Sequence, residues 1–113
     1  MNKQLKVAEL QDLAQPGQAQ VFDRAVLAEQ TMQDTALAEE ILGLFFGQLD
    51  KLEKADWDSL ELAFEMHTLR GAAAVMGARQ IEQLADHWKK PGTGLERKLK
   101  LAFAQFRAAA TNA

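Results

Sequence analysis

The chain has 113 residues and a net charge of −3, and it is 48% hydrophobic and 26% charged. These values predict one soluble globular domain over residues 1–113, and the acidic balance argues against a nucleic-acid partner. There is no cysteine, and no apolar run approaches the roughly 20 residues that span a bilayer. We therefore expect a cytoplasmic protein without disulfides and without a membrane partner.

Residues 1–20 have the weakest pattern in the chain. Leu10, Leu13 and Ala14 suit one turn of a docking helix, but a frayed N-terminal arm is an equal alternative. After Pro16 and Gly17, the residues from about 23 to 30 predict a short helix. The main helical unit is then expected from about residue 23 to residue 111.

Two long helices follow in the sequence. The first is predicted from about 35 to 54 behind Asp34, a good N-cap, and the second from Asp56 to Gly77, where glycine ends a helix readily. Apolar positions recur at helical spacing in both. In the first helix the apolar positions are Leu37, Ile41, Leu44, Phe45, Leu49 and Leu52, and Gln48 falls in the same pattern. In the second helix they are Leu62, Met66, Leu69, Ala73 and Met76.

Two further helices complete the pattern. One is predicted from about 79 to 89, before the turn at Pro91 and Gly92, and shows Ile81, Leu84, Ala85 and Trp88 on one side. Thr93 and Glu96 form a capping box for the last helix. Its expected inward positions are Leu95, Leu99, Ala102, Phe106 and Ala109. No segment predicts a strand, and short connections between helices favour an all-α, up-down-up-down antiparallel four-helix bundle with a short additional N-terminal helix.

Several kinds of chemistry are excluded by the residues present. His67 and His87 are the only histidines and have no partner at metal-ligand spacing, and no glycine-rich phosphate loop occurs. With no cysteine and with Ser59 as the only serine, a hydrolase nucleophile is not expected. The residues therefore predict no nucleotide site and no metal or cofactor of the chain's own.

His67 is the most informative residue. At about 100° per residue it lies roughly 130° from the centre of the apolar stripe of its helix and should face solvent. The ordinary interpretation is a solvated polar side chain. Gly71, one turn later, costs about 1 kcal/mol of helix propensity and leaves the imidazole uncovered, while Arg70 can reach back towards it. An exposed imidazole beside a guanidinium suits in-line phosphoryl transfer.

Leu60 and Phe64 fall on the same side of the predicted helix as His67. Two interpretations are open: they pack against the N-terminal segment, or they form an exposed docking patch. Charge along the chain is also uneven, with a balance of −8 over residues 1–66 and +5 over residues 67–113. If the two halves do not interleave, the second half forms a basic face that steers an acidic partner.

The segment from His67 to Ala78, His-Thr-Leu-Arg-Gly-Ala-Ala-Ala-Val-Met-Gly-Ala, resembles the signature of histidine-containing phosphotransfer (HPt) domains of bacterial phosphorelays. The resemblance implies that His67 is phosphorylated, that Arg70 takes the place of the usual lysine, and that Gly71 keeps the ring accessible. Leu60, Phe64 and Ala74 would form the partner docking surface. Where several members hold a glutamine or glutamate that orients the histidine, this chain has Lys89, which cannot accept a hydrogen bond but can meet the phosphoryl group.

By the same resemblance, the partners are response-regulator receiver domains and a hybrid sensor histidine kinase, and Mg²⁺ is expected on the receiver. The alternative is a noncatalytic helical adaptor that binds a protein through the surface around Leu60 and Phe64. A third class, the dimerisation domain of a kinase, usually has two helices per subunit. Because this chain already supplies four helices, we expect a phosphocarrier that is a monomer.

Overall fold

A computed structural model of the protein describes residues 20–88 and 94–111, and in these ranges the chain forms five helices and no strand. They are α1 (Arg24–Gln30), α2 (Thr35–Glu53), α3 (Leu62–Met76), α4 (Arg79–Asp86) and α5 (Leu95–Thr111). The predicted all-helical class is confirmed. None of these helices is long and apolar enough to cross a membrane. The interpretations of residues 1–19, and the Thr93 half of the capping box, lie outside the described residues.

The first two helices begin where the sequence predicts. The Asp23 carboxylate accepts a hydrogen bond of 3.1 Å from the backbone N–H of Ala25, and the Asp34 carboxylate accepts one of 3.1 Å from that of Leu37. Each bond satisfies an amide that has no partner within its helix. The two aspartates therefore set the starts of α1 and α2.

The third helix begins later than predicted, at Leu62 rather than at Asp56. The Asp56 carboxylate instead accepts from the backbone N–H of Asp58 at 3.0 Å, which makes a turn. The indole N–H of the buried Trp57 donates to the carbonyl oxygen of Leu52 at 2.9 Å and draws the chain back onto the end of α2. The residues after Asp56 therefore form turns that bury this large ring, in place of the first turns of the predicted helix.

Gly77 ends α3, as predicted, and also anchors α1. Its φ of 77° lies in the left-handed region, where a side chain costs free energy. The carbonyl oxygen of Gly77 accepts a hydrogen bond of 2.8 Å from the N–H of Asp23. A Cβ at residue 77 would lie 2.3 Å from the carbonyl oxygen of Asp23, so only glycine permits this approach.

The last two helices depart from the predictions in detail. The fourth helix ends at Asp86 rather than near 89, because the Trp88 ring leaves the helix to pack edge-on against Trp57, with 5.7 Å between ring centroids. In α5, Phe103 is completely buried although the predicted stripe omits it, whereas Leu95 and Ala109 are only partly buried. The inward face of α5 is thus wider than one row of side chains.

One hydrophobic core joins the helices. Helix α2 contacts α3, α3 contacts α4, α4 contacts α5, and α5 returns to α2, while α1 packs on α2 and α3. The Phe106 ring meets Phe22 and Phe45 edge-on at centroid distances of 4.9 and 5.1 Å. At the surface, Arg107 of α5 pairs with Asp50 and Glu53 of α2. This framework fixes α3, which carries the candidate site.

Candidate functional site

The buried stripe of α3 determines which of its side chains face solvent. The residues of this stripe are completely or almost completely buried, and they are Leu62, Met66, Leu69, Ala73 and Met76. All five match the predicted core stripe. Because each residue turns the helix by about 100°, the side chains of His67, Gly71 and Ala74 are directed away from this core.

The His67 imidazole lies on that outward face and is exposed. Within the described part of the chain it makes no hydrogen bond or ion pair that would occupy a ring nitrogen. A neutral imidazole has one nitrogen with a free lone pair, and exposure gives a second molecule access to it. The position of His67 therefore suits a nucleophile that acts on a group presented by a partner.

Gly71 is exposed one turn after His67, and a Cβ added there would meet nothing within 4 Å. Close packing within the described chain therefore does not explain why a glycine stands in the middle of this helix. Helical side chains lean towards the N-terminus, so any side chain at residue 71 would lie over the turn that holds His67. The absence of a side chain keeps that side of the imidazole open.

The structure places Arg70 against α4. Its Nε lies 3.6 Å from Oδ1 of Asp86, and no hydrogen bond joins it to His67 in the described residues. Arg70 therefore lies one turn from the imidazole, as the sequence predicts, but its guanidinium is held by a carboxylate that sequence reasoning missed. No sequence motif marks Asp86, because the pair depends on how α3 and α4 are rotated against each other.

A polar groove of about 200 Å³ lies between α3 and α4 beside this pair. Its walls combine two cationic, two anionic and one amide side chain, which are Arg70, Arg79, Glu82, Gln83 and Asp86. With equal numbers of positive and negative side chains, the groove is not a general anion-binding site. The positive charge of Arg70 is instead partly balanced within the protein by Asp86.

Exposed apolar side chains lie on the outward face of α3 and at Leu60, two residues before this helix begins. Leu60 is 87% exposed and Phe64 is 71% exposed, and Ala74 is also exposed. These three predicted docking residues are accessible among the described residues. Packing of Leu60 and Phe64 against residues 1–19 is an alternative that falls outside the described range.

Two further apolar residues are exposed. Leu44 of α2 is 71% exposed although the sequence places it in an apolar stripe, and Val75 of α3 is 40% exposed. They border a groove of about 260 Å³ between α2 and α3, whose other walls are Ile41, Phe45, Gln48, Ala72 and Met76. Leu44 is exposed although it belongs to the apolar pattern of α2, because α3 covers only part of the apolar face of α2.

The remaining predicted residues contribute less to the described site. Lys89 lies outside the described residues. His87 is exposed at the end of α4, and its Nδ1 lies 2.7 Å from the carbonyl oxygen of Gln83. Across residues 20–88 and 94–111, no three His, Cys, Asp or Glu side chains are grouped so that they could hold a metal ion.

A family model described as Hpt domain matches residues 24–109, which includes all five helices up to the last residues of α5. His67, Arg70 and Gly71 lie within the matched range. No curated protein and no solved structure matches the chain.

Proposed function

The chain belongs to the Hpt domain family, and on that premise we propose that it accepts a phosphoryl group on His67 from a receiver aspartate and passes it to another receiver. Hpt domains are phosphocarriers of two-component signalling rather than enzymes with their own kinase site, and they interact with receiver domains and kinases. The observation that carries the specific proposal is the exposed imidazole of His67 above the bare backbone of Gly71.

The transfer step needs little more than alignment of the reacting atoms. The lone pair of the unprotonated ring nitrogen of His67 forms a bond to phosphorus while the P–O bond to the receiver aspartate breaks. The aspartate carboxylate leaves with the electron pair, and the ring keeps its proton on the other nitrogen. Arg70 lies close enough to place a positive charge beside the transferred dianion, as guanidinium groups do for phosphate.

The partner supplies what this chain does not. We expect the receiver to bring its acidic aspartate pocket and Mg²⁺, and a hybrid sensor histidine kinase to feed the relay in the cytoplasm. The apolar surface of Leu44, Leu60, Phe64, Ala74 and Val75 offers a docking area around His67, since exposed apolar patches of this kind commonly mark interaction sites. Docking there would hold the receiver aspartate in line with the imidazole.

The finer architecture is also proposed. The closed series of contacts from α2 through α3, α4 and α5 back to α2 supports an up-down-up-down antiparallel four-helix bundle, to which α1 is added. One chain then contains the whole bundle, which favours a monomer. The same exposed Leu60 and Phe64 also suit the alternative, a noncatalytic adaptor in which His67 has no chemical role.

Incubation with a labelled, phosphorylated receiver distinguishes the carrier from the adaptor. We expect label on His67 in a bond that acid breaks and base does not, and we expect His67→Gln to lose the label while retaining its helical circular dichroism. His87→Gln is the matched control, because it removes the other exposed histidine of the chain and should be labelled like the parent. Labelling that persists in His67→Gln would contradict the proposal.

A further inference from the structure

The ion pair between Arg70 and Asp86 joins the helix of the phosphoacceptor to its neighbour. It consists of one contact, from Nε of Arg70 to Oδ1 of Asp86 at 3.6 Å, and it is the only ion pair of Arg70 with the described residues. The two side chains are 41% and 65% exposed. A single, solvated contact of this length is weak, because water screens the charges and two long side chains must be ordered.

A phosphoryl group on His67 would be a stronger partner for the same guanidinium. Residues three apart on a helix have neighbouring side chains, so Arg70 can turn from α4 towards a group on His67. A phosphoryl group carries more charge than a carboxylate and offers several oxygens to the planar guanidinium, which favours two parallel hydrogen bonds. One pair of parallel donors on a guanidinium is Nε with a terminal nitrogen, so a phosphoryl group bound in this way takes the Nε that otherwise faces Asp86.

We propose that Asp86 competes with the phosphoryl group of His67 for Arg70. This inference rests on the proposed function, since it requires that His67 is the phosphoacceptor. A contact made only by the unphosphorylated protein stabilises that form and therefore lowers the phosphorylated fraction at equilibrium. Asp86 thus disfavours the phosphorylated form of His67 at equilibrium and favours transfer of the phosphoryl group to the next aspartate.

The test is the equilibrium distribution of label between a phosphorylated receiver and this protein. Asp86→Asn keeps the shape of the side chain and removes its charge. We expect the equilibrium constant for transfer to His67 to rise about two- to fivefold, the range of an exposed ion pair. In an Arg70→Gln background the same substitution should have no effect, because the guanidinium for which the anions compete is absent.

Glu82→Gln is the matched control. Glu82 lies one turn before Asp86 on α4 and lines the same groove, but it forms no ion pair with Arg70 in the described chain. If only the loss of one negative charge on α4 mattered, the equilibrium constant for transfer to His67 would shift equally in both variants. Competition for Arg70 shifts it only in Asp86→Asn. Circular dichroism of each variant verifies that it is folded.

The outcomes separate this inference from the function on which it rests. An unchanged or lower phosphorylated fraction in Asp86→Asn, with the parent still labelled on His67, overturns the competition and leaves the phosphocarrier function intact. Persistence of the Asp86→Asn effect in the Arg70→Gln background also overturns it. Absence of label on the parent would contradict both proposals.

Discussion

Gly71 offers the sharpest test of the candidate site, because helix propensity and transfer make opposite demands on it. Replacing an exposed glycine inside a helix by alanine stabilises a protein by up to about 1 kcal/mol. At Gly71 nothing offsets this gain, since the new Cβ would have no neighbour within 4 Å. For a domain of this size, the melting temperature should rise by up to roughly 4 °C.

The same chain supplies two matched controls. Gly43 and Gly47 are also exposed glycines inside a helix, α2, and a Cβ at either would likewise meet nothing within 4 Å. Gly43→Ala, Gly47→Ala and Gly71→Ala should therefore gain similar free energies of unfolding, measured by urea denaturation. Glutamine has a helix propensity close to that of alanine, so the three Gly→Gln variants should also melt no lower than the parent.

Only the changes at residue 71 should affect transfer. The side chain of Gly71→Gln would lean back over the imidazole of His67 and hinder the close, aligned approach that the reaction needs. Misplacement by about 1 Å can cost on the order of 100-fold in rate, so we expect Gly71→Gln to slow single-turnover transfer at least roughly tenfold, with Gly71→Ala intermediate.

Two results would refute this reasoning. If Gly71→Gln transfers at the parental rate, the glycine is not there for access to His67. If Gly43→Gln or Gly47→Gln slows transfer as much as Gly71→Gln does, the effect is not specific to the turn above the imidazole. Melting of Gly71→Ala well below the parent would also contradict the structure, because it would reveal a close contact at a position that is open.

Two further predictions concern Arg70 and Gly77. Arg70→Ala should slow transfer about tenfold, because it loses a charge-assisted contact with the phosphoryl group. Arg79→Ala changes an arginine of the same groove and should transfer at the parental rate. If Arg70→Ala transfers as fast as Arg79→Ala, the Arg70 guanidinium is not needed. Gly77→Ala should lower the free energy of unfolding by more than about 2 kcal/mol, because it adds strain in the left-handed region and a clash with Asp23. Gly94 has a φ of 84° but open space around it, so Gly94→Ala should lower the free energy of unfolding by only about 1 kcal/mol. Similar losses in denaturant titrations of the two glycine variants would argue against the close approach at Gly77.

Much of the helical framework follows from local signals in the sequence. Asp23, Asp34 and Gly77 act through bonds and dihedral angles within a few residues, so their effects can be predicted without knowledge of the fold. The outward direction of His67 follows from its angle to the apolar stripe of α3, and its exposure agrees with that expectation. These features depend on one helix at a time.

The errors occur where a second element decides the outcome. Trp57 is buried against the end of α2, and this contact displaces the start of α3 from the position that Asp56 predicts. Leu44 lies in a row of apolar residues, but α3 does not extend far enough across α2 to cover it. Periodicity gives the direction of an apolar face but not the width of the arc that a neighbouring helix will bury.

The pairing of Arg70 shows this limit at the candidate site. Glu82 and Asp86 are four residues apart, so their side chains differ by only about 40° around α4, and both acids lie along one edge of that helix. The sequence alone gives no reason to prefer either as a partner for Arg70. Packing of Ile81 and Leu84 in the core fixes the rotation and depth of α4, and the structure then brings Asp86 to Arg70. The charge balance beside His67 is therefore a consequence of core packing, and a substitution that rotates α4 should alter transfer without touching a charged residue.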